Sequence, residues 1–138
     1  MKTIISICIA LFFTFVCACE RVEENYLSEN VEYAAAQYDL LIEKLEKNGK
    51  PWAPRTVDTK GNIVYARNVW DWTSGFFAGS LWYLYNLTGD EKWKTLAKKY
   101  TEALKQQQYI TSHHDIGFII GCSYLNGMRM GQEAYDTI

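Results

Sequence analysis

Residues 74–105 read SGFFAGSLWYLYNLTGDEKWKTLAKKYTEALK, and this stretch decides the fold class. Residues 74–87 place apolar or small side chains nearly all the way round a helix, which is typical of a helix inside a larger body. The short sequence Thr88–Glu91 ends this helix and begins the next. Residues 90–107 carry one apolar stripe with lysines and glutamates elsewhere, so we predict an outer helix with one face in water.

The same alternation continues on both sides of this stretch. Upstream, apolar residues recur at helical spacing over residues 31–45. Ser28 is a candidate start signal for that helix and Asn48-Gly49 a stop signal. Downstream, residues 115–130 predict another helix that is mostly apolar. Inner and outer helices that alternate in this way are typical of an α/α barrel or toroid.

The length of the chain conflicts with this pattern. Four helices, two of them without a polar face, leave much apolar surface exposed, which monomers rarely tolerate. We therefore expect the chain to be the first part, about four to five helices, of a longer all-α barrel that is truncated here. A small four-helix bundle is the alternative, but it would need apolar stripes of similar width on every helix. The long connection 50–71 is expected to contain a brief strand at Ile63–Tyr65.

The N-terminus predicts export. An apolar run over residues 4–16 is shorter than the ~20 residues of a membrane span and fits the core of a signal peptide. Because Cys19 follows where this run stops, we expect residues 1–18 to be a lipoprotein signal peptide, with Cys19 lipidated and residues 19–29 forming a tether. An ordinary signal peptide cut near Ala18 is the alternative. The lipid would be the protein's only membrane contact, on an outer-membrane-anchored lipoprotein that faces the periplasm or the cell surface of a Gram-negative bacterium.

Charge and cysteine content exclude other classes of protein. The formal net charge is −2 and there is no basic stripe, so nucleic acid is not an expected partner. Of the four cysteines, Cys122 alone would remain as a free thiol after export, so no internal disulfide is expected. We interpret Cys122 as a small buried apolar residue, with a nucleophile as the weaker alternative. The oligomeric state is not indicated.

Two segments carry the residues suited to chemistry. The sequence His113-His114-Asp115 opens an apolar stretch, where an ionisable residue is costly unless function requires it. The N-terminus of the predicted helix would favour the charged form of Asp115. Upstream lies the aromatic segment Trp70–Phe77. Together the two segments indicate a sugar-processing site, in which Asp115 points into a cavity lined by indole and imidazole.

These motifs closely resemble the unsaturated glucuronyl hydrolases, glycoside hydrolase family 88. The resemblance rests on DWTSGFFAG at 71–79, TGDE at 88–91 and HHDIGF at 113–118, and it covers about residues 28–138. It implies an (α/α)6 six-hairpin barrel, of which residues 30–138 would be the N-terminal part. It also implies a substrate, the unsaturated uronic-acid oligosaccharides left by polysaccharide lyases, whose double bond is hydrated without a metal or organic cofactor.

The resemblance also assigns roles to single residues. Asp115 matches one of two catalytic aspartates, and Trp72 and His114 match substrate-binding positions, with Trp72 stacking on a sugar face. The second aspartate of the family lies downstream of the motifs present in this sequence. We therefore expect this piece to be inactive alone.

Other interpretations of these residues stay open. Asp115 could serve only as a helix N-cap, and the adjacent histidines could form half of a zinc site, although no third ligand stands at suitable spacing. Trp70 is better explained as a core residue, and Trp72 as the sugar contact. Arg55 is a candidate to pair with an acidic group near the mouth of the site.

Two further functions are compatible with the sequence. One is the sister activity that removes unsaturated galacturonyl groups from pectin or rhamnogalacturonan fragments. The other is a non-catalytic carbohydrate-binding lipoprotein built on the same barrel.

Overall fold

The computed structural model describes residues 2–49, 52–66, 71–112, 114–132 and 135, with the backbone alone for residues 2–24. Two residues singled out from the sequence, Trp70 and His113, lie outside the described residues. The chain divides into two compact units, Met1–Asp39 and Leu40–Ile138.

Helix α1 spans Lys2–Asn48, so the predicted helix start after Ser28 is wrong. The sequence before Gly49 contains neither proline nor glycine, and the polar segment expected to form a tether therefore continues the helix. The Ser28 hydroxyl donates a hydrogen bond to the carbonyl of Asn25 at 3.0 Å instead of capping a new helix. Gly49 ends α1 with a φ of 63°, as predicted.

No helix is both long and apolar enough to cross a membrane, as far as the structure describes the chain.

The remaining helices follow the predicted order. They are α2 (Ser74–Thr88), α3 (Glu91–Glu102), a 3₁₀ helix (Lys105–Tyr109), α4 (Ile116–Ile120), a π-helical segment (Gly121–Leu125) and α5 (Asn126–Met130). The mostly helical fold predicted from the sequence is thus confirmed. Two details differ, since α3 ends at Glu102 and the helix predicted over 115–130 contains the π-helical segment.

A two-stranded antiparallel hairpin lies in the long connection. Strand β1 spans Pro54–Val57 and β2 spans Ile63–Tyr65. The sequence predicted β2 but not β1, because its first residue is a proline; the first position of a strand tolerates one. Thr56 pairs with Val64 while Pro54 pairs with Tyr65, so Arg55 is an extra residue that forms a β-bulge.

Helices α2 and α3 form the inner and outer pair that the sequence predicts. Trp82 and Trp93 are fully buried between them. The Trp82 Nε1–H donates to the Thr101 hydroxyl at 3.0 Å, and both groups are inside the core. Phe77 meets Tyr100 edge-on, with 4.7 Å between ring centroids. These contacts fix the register of the two helices.

Helix α2 also packs directly on the helical stretch 116–130 through glycines. A Cβ atom on Gly75 would lie 2.3 Å from the carbonyl oxygen of Ile119, and one on Gly79 would lie 2.7 Å from that of Cys122. Because the paired positions increase together, the two helices run parallel. Their N-terminal ends therefore lie at the same end of this pair.

The C-terminal part of the stretch is held against α2 in the same manner. Gly127 and Gly131 lie against the indole of Trp82, and a Cβ on Gly131 would come within 2.4 Å of the ring. Glycines thus allow close approach along the whole length of the contact.

Candidate functional site

Three aromatic side chains meet at the shared N-terminal end of α2 and α4. The Trp72 ring lies 5.6 Å from that of Phe76 and 6.2 Å from that of Phe118, and the two phenylalanines are 6.4 Å apart. We call these three residues the aromatic cluster. Their exposed fractions are 45%, 38% and 51%, so the cluster forms an open surface.

Asp115 lies one helical turn before Phe118, at the N-cap position of α4. Its carboxylate Oδ1 is 3.3 Å from Nε2 of His114, and the two side chains are 32% and 93% exposed. The residue has helical backbone angles, and its side chain makes no capping hydrogen bond. The carboxylate is therefore open to a ligand.

The carboxylate of Asp71, the residue before Trp72, already has hydrogen-bond and ion-pair partners. Its side chain is only 10% exposed, and Oδ1 accepts hydrogen bonds from the Thr73 amide at 3.1 Å and from the Thr73 hydroxyl at 2.6 Å. Arg55 Nη1 lies 3.4 Å from the other oxygen, Oδ2. The expectation that Arg55 pairs with an acidic group near the site is met by Asp71.

A buried hydrogen bond fixes the start of α2. The Ser74 hydroxyl donates to Oε1 of Gln107 at 3.1 Å, and both side chains are buried. Gln107 belongs to the 3₁₀ helix, which also packs on α4. The first turns of α2 and α4 are therefore held by a common neighbour.

The π-helical segment lies where α4 continues past α2. The Ser123 hydroxyl donates to the Ile119 carbonyl at 2.6 Å, and the Asn126 amide donates to the Cys122 carbonyl at 2.9 Å. These are the two carbonyls that face Gly75 and Gly79. Two side-chain donors thus bind backbone carbonyls at the irregular part of the helix. Short π-helical segments within α-helices are often found near functional sites.

The Cys122 thiol is not activated. Burial raises its pKa above the ordinary value, so the reactive thiolate is disfavoured at neutral pH. The raised pKa disfavours the nucleophile alternative, but the side chain is only partly buried, so the prediction of a buried residue is not met.

The structure places Trp72, His114 and Asp115 at the same end of the helix pair, where Trp72 contacts Phe118 and His114 lies beside Asp115. Within the described ranges, no three histidine, cysteine or acidic side chains converge as metal ligands do. The sequence did not identify Phe76 and Phe118 as part of the site. Both stand inside the quoted motifs, but helical periodicity does not show which apolar residues remain exposed where a helix begins.

Comparisons with known proteins agree with this picture. The family model described as glycosyl hydrolase family 76 matches residues 16–138. An unsaturated glucuronyl hydrolase of Formosa agariphila is 29% identical over 96% of this chain and 34% of its own length. An unsaturated glucuronyl hydrolase of Bacillus sp. is 36% identical over 51% of the chain, and an unsaturated chondroitin disaccharide hydrolase of Streptococcus agalactiae is 33% identical over 46%.

A solved structure matches as well. The crystal structure of an unsaturated glucuronyl hydrolase specific for heparin superposes with a TM-score of 0.57 at 42% identity, over 60% of this chain and 22% of that one. The chain spans between 17% and 34% of the lengths of the curated relatives above. The matching model carries the number 76 where the motifs resemble family 88, and both families are six-hairpin glycosidases. The chain therefore belongs to the glycosyl hydrolases recognised by the family 76 model, and within that clan it is a homologue of the unsaturated glucuronyl hydrolases.

Proposed function

We propose that the chain carries part of a binding site for 4,5-unsaturated uronic-acid oligosaccharides, the products of polysaccharide lyases. This part consists of the aromatic side chain that stacks on the sugar and of one of the two carboxylates that the reaction needs. The observation that carries the proposal is the half-exposed Trp72 within one aromatic cluster with Phe118, one turn from the open carboxylate of Asp115. The cluster offers an apolar face to a sugar ring, and the carboxylate offers a hydrogen-bond acceptor beside it.

The reaction proposed for the complete site is hydration of the double bond. An acid protonates C4, water adds at C5, and the resulting hemiketal opens and releases the next sugar. Asp115 would remain ionised, accept hydrogen bonds from the substrate and stabilise the cationic character that develops at C5. His114, 3.3 Å away, would orient this carboxylate or donate to the substrate.

Hydration needs a second carboxyl group that can deliver a proton. Asp71 does not suit this role, because Thr73 and Arg55 hold its two oxygens and its side chain is almost buried. We therefore propose that the chain alone binds the unsaturated sugar without hydrating it. That Asp71 is unsuited to deliver a proton also supports the alternative of a non-catalytic carbohydrate-binding protein.

The test measures binding and turnover separately. Titration calorimetry with an unsaturated glucuronyl disaccharide is expected to show binding to the purified chain. Trp72→Ala removes the stacking face, and a lost contact of about 1.4 kcal/mol corresponds to roughly tenfold weaker affinity. The ultraviolet absorbance of the double bond is expected to stay constant over the same period.

Tyr83→Ala is the matched control, because this residue also exposes an aromatic ring on α2 but lies outside the aromatic cluster. Its affinity should equal that of the unaltered chain. Absence of binding to the unaltered chain would contradict the proposed site. A falling absorbance would contradict the proposal that the chain is inactive alone.

We also propose that the protein is exported and anchored through lipid on Cys19, on the strength of the apolar run that stops there. Incorporation of labelled fatty acid in a Gram-negative host, and its loss in Cys19→Ser with retention in Cys122→Ser, is the check.

A further inference from the structure

The β1–β2 hairpin reaches the candidate site through one side chain. Arg55 is the extra residue of the β-bulge, and a bulge bends its strand and redirects the side chain that it carries. The guanidinium of Arg55 is directed to Oδ2 of Asp71 at 3.4 Å. The hairpin is tied down at its base, where the Ala66 amide donates to the Ala53 carbonyl at 2.9 Å and both alanines are buried.

Asp71 in turn fixes the short segment that presents Trp72. Its side chain accepts both hydrogen bonds from Thr73, and its carbonyl accepts the Ser74 amide at 3.0 Å. Trp72 stands between the two residues that these bonds join. The indole itself is restrained by edge contacts with only two rings, Phe76 and Phe118, among the contacts that the structure describes. The orientation of the exposed indole therefore depends on the turn over residues 71–74, which the hydrogen bonds of Asp71 hold.

We propose that Arg55 and Asp71 are positioning residues, which hold the Trp72 indole in the orientation that stacks on the sugar. A buried carboxylate that lost its cation would be left insufficiently compensated and would turn toward solvent, taking the Thr73 bonds with it. The contribution of this pair to sugar affinity rests on the proposed function above. Its effect on the indole does not, and can be measured without a sugar.

The experiment labels the tryptophans of the full chain with fluorine and assigns the Trp72 resonance by its absence in Trp72→Phe. Arg55→Gln removes the cation. Asp71→Asn removes the negative charge and leaves one accepting oxygen, which cannot serve both Thr73 and Arg55 because the amide NH2 group donates. Each variant is expected to shift or broaden the Trp72 resonance while the signals of buried Trp82 and Trp93 stay in place. Each is also expected to bind the unsaturated disaccharide three- to tenfold more weakly.

Three comparisons separate positioning from a general loss of structure. The double variant Arg55→Gln/Asp71→Asn should lose no more affinity than either single variant, because both changes break the same contact. Arg55→Lys should keep the Trp72 resonance, because the pair is a single contact through Nη1 that an ammonium can replace. Arg129→Gln removes an equal charge from an exposed position on α5 and should leave signal and affinity unchanged.

The outcomes that overturn the proposal are distinct. If the Trp72 resonance is unchanged in both single variants, the pair does not position the indole. If Arg55→Gln weakens binding and Asp71→Asn does not, Arg55 contacts the anionic sugar directly and the positioning role is wrong. If the unaltered chain binds no sugar, the proposed function fails, whereas the fluorine resonance still decides whether Arg55 and Asp71 hold Trp72.

Discussion

Asp90 and Asp115 both stand directly before a helix, but their carboxylates do different things. Asp90 has an extended backbone, and its side chain accepts a hydrogen bond from the Lys92 amide at 2.9 Å, as an N-cap should. Asp115 has helical angles, makes no such bond and lies beside His114. A carboxylate that makes no capping hydrogen bond is available for another partner.

This difference gives a prediction for stability. Asp90→Ala should lower the free energy of unfolding by about 1 kcal/mol, because a capping bond is lost. Asp115→Ala should change it by less than about 0.5 kcal/mol, the usual range for a surface position without such a bond. Urea denaturation of both variants measures the two values. A loss in Asp115→Ala as large as in Asp90→Ala would mean that the carboxylate serves the helix after all.

The sequence predicted the roles of some residues of the candidate site but not of others. Asp115 and Trp72 could be named because charged and aromatic residues in short motifs carry a chemical reason. The roles of Phe76 and Phe118 could not, since helical periodicity does not say which apolar residues remain exposed where a helix begins. Nor does the sequence reveal that Asp71 is held by Arg55, because their contact depends on the bulge in β1.

At the scale of elements, the close contact of α2 with the stretch 116–130 brings the cluster together. The spacing of Gly75 and Gly79 allows the backbones to approach so closely that carbonyl oxygens occupy the space of a side chain. The two parallel helices then present their first turns side by side. The sequence indicated that both helices are buried, but a glycine in a helix has several explanations, and only the packing partner distinguishes them.

Alanine substitutions test this contact. Gly75→Ala and Gly79→Ala should each destabilise the fold by about 1–3 kcal/mol or more, because the added methyl meets backbone that cannot rotate away. Both should also separate Trp72 from Phe118 and weaken sugar binding. Thermal and urea denaturation give the stability change.

Gly121→Ala is the control for these two variants. Gly121 has helical angles, φ −62° and ψ −43°, and an added Cβ would meet nothing within 4 Å. Alanine there should be neutral or should stabilise by up to about 1 kcal/mol, since it lowers the entropy of the unfolded chain. Equal losses at all three glycines would show that close approach is not the cause.

For the molecule as a whole, the alternation of buried and half-exposed helices was the dependable signal. It predicted the bounds of α2 and of the helical stretch 116–130 closely, because burial on most sides leaves a strong composition pattern, whereas α3 ends at Glu102, before the predicted end at 107. It failed at the start of α1, which was predicted after Ser28, because the preceding polar residues contain no helix breaker and are helical as well. It also missed β1, whose pairing with β2 is set by contacts between segments and not by local propensity.

The core also predicts how the folded chain responds to alkali. Burial, followed by the nearby charge of Glu46, raises the pKa of Tyr100 above its ordinary value of 10.0. The resulting stability is complete below pH of about 10 and is lost as the pH rises through the folded-state pKa. The free energy of unfolding should therefore fall above pH 10, and it should fall less steeply in Tyr100→Phe, which cannot ionise. Tyr109→Phe, on an exposed ring, should follow the unaltered chain; an equal slope for both variants would contradict the prediction.

The π-helical segment has one more consequence. Each residue of a regular helix advances about 100° around the axis, and a π turn accommodates one residue beyond the α-helical repeat. Because the surplus residue is accommodated within the segment, the helical turns on either side keep the phase of an uninterrupted helix. Deleting one residue from Gly121–Leu125 should therefore restore the regular winding while Asp115 and Phe118 stay at one end and Gly127 and Gly131 stay on Trp82. The same deletion within α2, which has no surplus residue, should turn the two ends of that helix about 100° apart.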